Sequence, residues 1–230
     1  MDVELSYCVI NTDQRQLLRY CLDAIARERA TVEFETEALV LDNASTDGSA
    51  SAARSHPVTT AVITLPQRRA AAENGSELLR RAGGRYCLLL GEDSELEPGA
   101  TAALHAALAD NADAGAAGAT LVRPDGSQRP SAWHFPGRVL GRPRVQSRGR
   151  RVRDVGWVHS TAMLVRREAA AAVGWLEPGP LEFCRRLHDV GWRVLYVPDA
   201  RAVAHDGGDL AAARESRLLA RVRRLVRSRG

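Results

Sequence analysis

The stretch Arg85-Tyr-Cys-Leu-Leu-Leu-Gly-Glu-Asp-Ser-Glu-Leu-Glu-Pro98 restricts the possible folds more than any other part of the chain. Its apolar run, Tyr86 to Leu90, is short enough for a strand buried on both faces, the pattern of a parallel sheet covered by helices. The run stops at Gly91, and Glu92, Asp93 and Glu95 follow. A doubly buried strand cannot hold carboxylates without a large desolvation cost, so these acids must lie past its carboxyl end. Pro98 then stands where the first turn of a helix is expected. That edge of an open α/β sheet is where such folds bind ligands. Clustered Asp and Glu oxygens there suit a hard divalent cation and, through it, a diphosphate. A solvated acidic loop accounts for them equally.

The rest of the chain repeats the alternation. Leu5 to Ile10 reads as a first buried strand ending in Asn11-Thr12, and Leu17, Leu18, Cys21, Leu22 and Ile25 recur at helical spacing. Ala38 to Leu41 is a second strand, Val58 to Leu65 a third, Ala70 to Arg81 a helix and Arg85 to Leu90 the fourth strand. Strands and helices in this rhythm imply βαβ units and a parallel sheet. Ala100 to Ala109 is an alanine-rich helix, Ala116 to Val122 a strand, and Pro124-Asp-Gly126 a turn. Trp157 to Val165 returns to strand-like alternation, followed by a short helix to Val173. Phe183 to Val190 forms another helix, and Trp192 to Val197 a late strand closed by Pro198.

Composition narrows the partners. Every basic side chain apart from histidine is arginine, and the arginine excess gathers at 138–153 and 214–229, so the bulk of the fold is not a basic surface. Nucleic acid is therefore not the expected partner. Cys8, Cys21, Cys87 and Cys184 lack the spacing of zinc or redox sites. Met1-Asp-Val-Glu lacks the basic and apolar regions of a signal peptide, and no run has the apolar length of a bilayer span. These features lead to the expectation of a reducing, cytoplasmic location.

Several residues are placed to carry chemistry. In Leu39-Val-Leu-Asp42-Asn-Ala-Ser-Thr-Asp47-Gly, a strand delivers Asp42 to the sheet edge. Ser45 or Thr46 can cap the next helix, and Asp47 suits its positive end. An acid at such a point either accepts hydrogen bonds from a nucleobase or ribose, or only caps the helix.

Taken in order, Asn11-Thr12, Asp42-Asn-Ala-Ser-Thr-Asp-Gly48, Asn74-Gly75, Gly83-Gly-Arg-Tyr86, the acidic cluster, Trp157 to Arg167, Phe183-Cys-Arg-Arg-Leu, Gly191 to Pro198 and Val203-Ala-His205 resemble glycosyltransferase family 2. The resemblance spans nearly all of residues 3–206. It implies a GT-A fold, a Rossmann-like and mostly parallel α/β sheet flanked by helices, over residues 1–208. Residues 1–98 would form the nucleotide-binding half and 99–208 the acceptor side. It also implies a UDP-, dTDP- or GDP-sugar donor, a glycan, lipid-linked or small-molecule acceptor, and Mg²⁺ or Mn²⁺. Thr12, Asp42 and Asn43 would line the base and ribose site, with Arg69, Asn74 and Glu92 beside the nucleotide.

By the same resemblance, Asp93 matches the last acid of the family's Asp-x-Asp signature and would bind the metal, helped by His205 and Glu95. The first acid of that signature is replaced by Gly91. A lone histidine after a strand, as at 205, is otherwise a surface or capping residue. Trp157, His159 and Ser160 would wall the sugar and acceptor pocket, although a tryptophan opening a strand equally belongs to a core.

The expected reaction is a single displacement with inversion, assisted by a carboxylate base. The family's run of acids before the helix at Phe183 is shortened here to Glu177-Pro-Gly-Pro-Leu-Glu182. Glu182 is the better base candidate and Glu177 the other. Glu182 is also what a helix-start carboxylate favoured by the dipole looks like. Two rivals stand beside the transferase: a GT-A domain that binds a nucleotide sugar or partner enzyme without turnover, and a nucleotidyltransferase on a similar sheet. The latter needs a glycine-rich basic loop after the first strand, and Asn11-Thr-Asp-Gln14 is not one.

Residues 209–230 place Leu218, Leu219, Val222, Leu225 and Val226 on one helical face, with arginines over much of the remainder. A basic amphipathic helix either docks on its own domain or lies on an anionic membrane surface, here the inner membrane.

Overall fold

The computed structural model describes residues 2–135, 149 and 151–205. The C-terminal helix expected at 209–230, and most of the arginine-rich stretch at 138–153, lie outside these residues. The first half alternates β1 (Leu5–Asn11), α1 (Arg15–Arg29), β2 (Thr36–Asp42), α2 (Ser49–Ser55), β3 (Ala61–Thr64), α3 (Ala71–Arg81) and β4 (Tyr86–Gly91). After β5 (Ser94–Leu96) come α4 (Ala100–Ala109), β6 (Ala114–Val122) and two short strands, β7 (Gln128–Arg129) and β8 (Ala132–Trp133). The chain continues through β9 (Arg153–Asp154), β10 (Trp157–Val158), β11 (Ala162–Arg166), α5 (Arg167–Val173), α6 (Pro180–Asp189) and β12 (Arg193–Ala204).

The main sheet is ordered β3-β2-β1-β4-β11-β6-β12-β5, with β7 added to β6 and β9 to β12. Strands β3, β2, β1 and β4 are parallel, as the alternation requires. The sheet is mostly parallel, as the resemblance implies, and its antiparallel members lie beyond them. β11 runs antiparallel to both β4 and β6, and β5 runs antiparallel to β12. β6 and β12 keep the direction of β4, so β1, β2, β4, β6 and β12 all present their carboxyl ends at one edge.

Two apolar layers cover the sheet. One packs Leu18, Leu22 and Ile25 of α1 and Leu104 and Leu108 of α4 on Val9, Leu88, Leu90 and Leu121. The other packs Leu78 and Leu79 of α3 and Phe183 and Leu187 of α6 on Cys8, Leu89 and Val165. All four cysteines are unpaired and buried, the behaviour of small hydrophobes.

Three local expectations are revised. Pro98 does not open a helix: α4 starts at Ala100 with Gly99 at its N-cap, at φ 84°. Pro98 instead precedes the left-handed turn, and glycine meets its positive φ without a Cβ clash. The alternation from Trp157 to Val165 is two strands, β10 and β11, broken at His159–Thr161. Pro198 does not end β12; the strand absorbs it where its register against β6 shifts between Val197 and Arg201.

Candidate functional site

Sheet order reverses between β1 and β4, and the polar tips gather around that switch point. The Ile10 carbonyl receives the Glu92 N–H at 3.1 Å and the Asn11 carbonyl receives the Asn43 N–H at 2.8 Å. The loops after β2 and β4 are therefore both sewn to the end of β1. From the other side, the Thr161 carbonyl accepts the Ser94 hydroxyl at 2.9 Å, so the turn before β11 abuts the acidic loop. At the end of β12, the His205 N–H donates to the Asp93 carbonyl at 2.9 Å. Thr12, Asp42, Asn43, Glu92, Asp93, His159, Ser160 and His205 thus belong to one edge.

Their roles there differ. Asp42 is fully buried. One carboxylate oxygen accepts Asn11 Nδ2 at 3.2 Å and the other accepts the Ser45 N–H at 3.1 Å. These bonds tie the end of β2 to Asn11 at the end of β1 and to the loop that follows β2. Asn43 is the cross-tie: Nδ2 donates to Thr12 Oγ1 and to the Arg69 carbonyl, both at 3.2 Å, while Oδ1 accepts the Arg69 N–H at 2.8 Å. Asn43 thereby fixes the loop carrying Arg69 beside Thr12. Asn74, in the first half of α3, is fully buried and neither amide atom finds a hydrogen-bond partner among the described residues.

Capping works differently from the local expectation. Neither Ser45 nor Thr46 caps α2. Ser45 Oγ accepts the Asp13 N–H at 3.0 Å, and Thr46 donates its N–H to Asp13 Oδ1 at 2.7 Å. Asp47 serves two helices, accepting the N–H of Ser49 at 3.0 Å and that of Arg15, which opens α1, at 2.8 Å. These hydrogen bonds hold the Asp47 carboxyl below its ordinary range despite the opposing effect of burial.

The acidic loop is unlike a solvated one. Asp93 is 4% exposed. Burial pushes the Glu92 carboxyl up to about 7; the Asp93 charge adds to this, and hydrogen bonds from its own and the Thr12 backbone N–H oppose it. Glu95 is paired with Arg27 at 2.9 Å, and its other oxygen lies 3.5 Å from His205 Nε2. Among the described residues no cluster of three or more His, Cys, Asp or Glu side chains is placed to hold a metal. One carboxylate and one imidazole do suit a cation that takes its remaining oxygens from a bound diphosphate.

Trp157 is 4% exposed and stacks on Trp133, with centroids 4.1 Å apart and planes at 16°. The half-buried ring of the pair is Trp133, a residue no motif singles out. Its signal is the pairing of Trp157 with Trp133 across β10 and β8, which a single strand pattern does not reveal. His159 is buried, and its Nδ1 accepts the Thr161 N–H at 3.1 Å. Burial, with the Arg129 charge adding to it, lowers this imidazole to about 4, so it is neutral at physiological pH.

Glu182 lies in the first turn of α6, where its two carboxylate oxygens accept Arg185 Nε at 3.1 Å. Glu177 approaches Arg80 at 3.4 Å, while Ser76 Oγ accepts the N–H groups of Leu176 and Glu177 at 3.1 and 3.2 Å. The shortened segment is thus pinned to α3, and both candidate bases sit in ion pairs.

Residues 6–174 match the model of glycosyl transferase family 2. The chain is 29% identical to an N-acetylglucosaminyl-diphospho-decaprenol L-rhamnosyltransferase of Mycobacterium tuberculosis, covering 79% of this chain and 71% of that protein. Among solved structures it is similar to the mannosyltransferase PcManGT from Pyrobaculum calidifontis, in complex with GDP-Man and Mn²⁺. The TM-score is 0.65 at 20% identity, over 88% of this chain and 57% of that one. It is also similar to GalNAc-T7 with UDP, GalNAc and Mn²⁺, with a TM-score of 0.70 at 13% identity, over 89% of this chain and 44% of that one. The chain therefore spans little more than half the length of the first of these structures, and less of the second.

Proposed function

The chain belongs to glycosyl transferase family 2, and from the site it builds we propose that it transfers a sugar from a nucleotide-diphosphate donor to an acceptor hydroxyl. The observation that carries this reading is the convergence of the β1, β2 and β4 tips with the turn before β11 and with His205 on one sheet edge. In the reading, Thr12 and Asn43 meet the base and ribose, Asp42 braces them, and Arg69, Asn74 and Glu92 lie along the nucleotide. Asp93 and His205 would hold a Mg²⁺ or Mn²⁺, which when bound would supply positive charge to the departing diphosphate. Glu182 takes the acceptor proton once it leaves Arg185, and one displacement inverts the anomeric centre. The relative named a rhamnosyltransferase supports a deoxyhexose donor and a polyprenyl-diphosphate-linked acceptor. Among the described residues no helix is long and apolar enough to cross a membrane.

The test is a transfer assay with UDP-, GDP- and dTDP-sugars and a polyprenyl-diphosphate-linked N-acetylglucosamine. Turnover that falls about 100-fold or more in Glu182→Gln is the expected result. The pairing of Glu182 with Arg185 and of Glu177 with Arg80 favours a second reading, a donor-binding domain without turnover. Donor binding with no product from any donor would select it.

A further inference from the structure

Position 91 is where the family's first signature acid is absent, and the geometry around it is not that of a simple loss. A Cβ built on Gly91 lies 2.6 Å from Asp93 Oδ1, a separation that bonded geometry and van der Waals radii do not permit. The next neighbour, Ser94 Oγ, is at 3.6 Å, so Asp93 is the only close obstacle among the atoms around that point. The Asp93 carboxylate therefore folds back over the end of β4, into the space that a side chain at 91 would need.

We infer that Gly91 is a positioning residue: its bare Cα lets the one remaining signature acid sit over the end of β4. This rests on Asp93 being the metal-binding acid of the proposed transferase. Asp93 is 4% exposed and its backbone carbonyl receives the His205 N–H at 2.9 Å, so the backbone is held and the carboxylate yields by turning about its own side-chain bonds. A side chain at 91 must then rotate the carboxylate away from the position it holds over the end of β4. The consequence runs against a motif-based repair. Restoring the family's acid with Gly91→Asp displaces Asp93 and weakens the site, where a mere loss of ligand predicts improvement.

The experiment has two arms. In the first, melting temperatures of the metal-free protein are measured for Gly91→Ala, Asp93→Ala and the double variant. Gly91→Ala should lower the melting temperature by about 3 °C or more with Asp93 present, and by much less with Asp93→Ala, because the colliding oxygen is gone. Equal shifts in both backgrounds overturn the inference, whatever the protein's activity. In the second, donor affinity is measured with and without Mn²⁺. Gly91→Ala and Gly91→Asp should each lose at least about tenfold in the Mn²⁺-dependent part and stay within about twofold without metal. A Gly91→Asp protein that binds Mn²⁺ and donor as tightly as the native chain overturns it. Lack of Mn²⁺ dependence in the native chain would count against the metal reading of the function, and the first arm would still decide the role of Gly91.

Discussion

The buried carboxylate of Glu28, near the end of α1, receives the Thr101 N–H at 2.7 Å in the first turn of α4. Its second oxygen receives the Gly99 N–H at 2.8 Å. The helix has no cap of its own, since Gly99 stands at the N-cap, and Glu28 supplies both an acceptor and a negative charge at its positive end.

Removing this cap leaves the buried Thr101 N–H without its partner and gives up the charge-assisted bond to the exposed Gly99 N–H. Glu28→Ala should therefore cost about 2–3 kcal/mol of unfolding free energy, and Glu28→Gln, which keeps one acceptor, about 1–2 kcal/mol. Denaturant titration measures both. A loss in Glu28→Ala below about 0.5 kcal/mol would show that water replaces the cap.

Two groups at the site tilt stability with pH in opposite directions. Glu92 is raised to about 7, so between its unfolded value and 7 the unfolded chain binds fewer protons and stability falls as pH rises. His159 is lowered to about 4, so between 6.5 and 4 the unfolded chain binds more protons and stability falls as pH drops. The native profile should be nearly flat between pH 4.5 and 6.5 where these two effects overlap. Relative to it, Glu92→Gln should gain up to about 3 kcal/mol at pH 8 and show a steeper loss in acid. His159→Asn should instead leave the Glu92 effect unopposed, so that stability rises as pH falls from about 7 to 4.5. Unfolding free energies at pH 5, 6.5 and 8 check this, and parallel profiles for all three proteins would contradict it.

The stacked tryptophans should separate by phenotype. Trp157 is the enclosed ring, and Trp157→Ala should lose about 3–5 kcal/mol of stability. Trp133 is the half-buried one, and Trp133→Ala should raise the acceptor KM about tenfold with donor affinity unchanged, with Trp133→Phe close to native. Steady-state kinetics with separately varied donor and acceptor tests it; an effect on donor affinity alone would move Trp133 to the donor side.

Arg185 occupies the proposed base. Arg185→Ala frees the Glu182 carboxylate and should leave turnover at or above the native level, while Glu182→Gln abolishes most of it. A rate lost equally in both variants would mean that the pair acts as a unit that orders the start of α6.

The sequence made visible what local chemistry dictates. Strands β1, β2 and β4 are buried on both faces and read as apolar runs, and the acids after Leu90 could only lie beyond the strand. Two kinds of feature stayed hidden. Strand direction at β11 depends on partners far along the chain, since Met163 pairs with both Leu89 and Gly118 in a register that its own residues do not encode. Caps supplied from a distance were equally invisible: Glu28 serves α4 and Asp47 serves α1, so the local candidates Ser45, Thr46 and Pro98 were plausible and unused. In the site, Asp42, Asn43 and Asp93 were legible as types at a strand edge. That Asp42 is enclosed, that Trp133 and not Trp157 offers an open ring, and that Asp93 fills the space over Gly91 are packing facts.

Donor binding puts the account to its most direct test. Isothermal titration of UDP-, GDP- and dTDP-sugars into native protein and Asp93→Asn, with and without Mn²⁺, should find one nucleotide class that binds. Its affinity should rise with metal in the native chain and not in Asp93→Asn. Binding of none of these donors, or an undiminished Mn²⁺ effect in Asp93→Asn, would contradict the claim that this sheet edge holds a sugar donor through its phosphates.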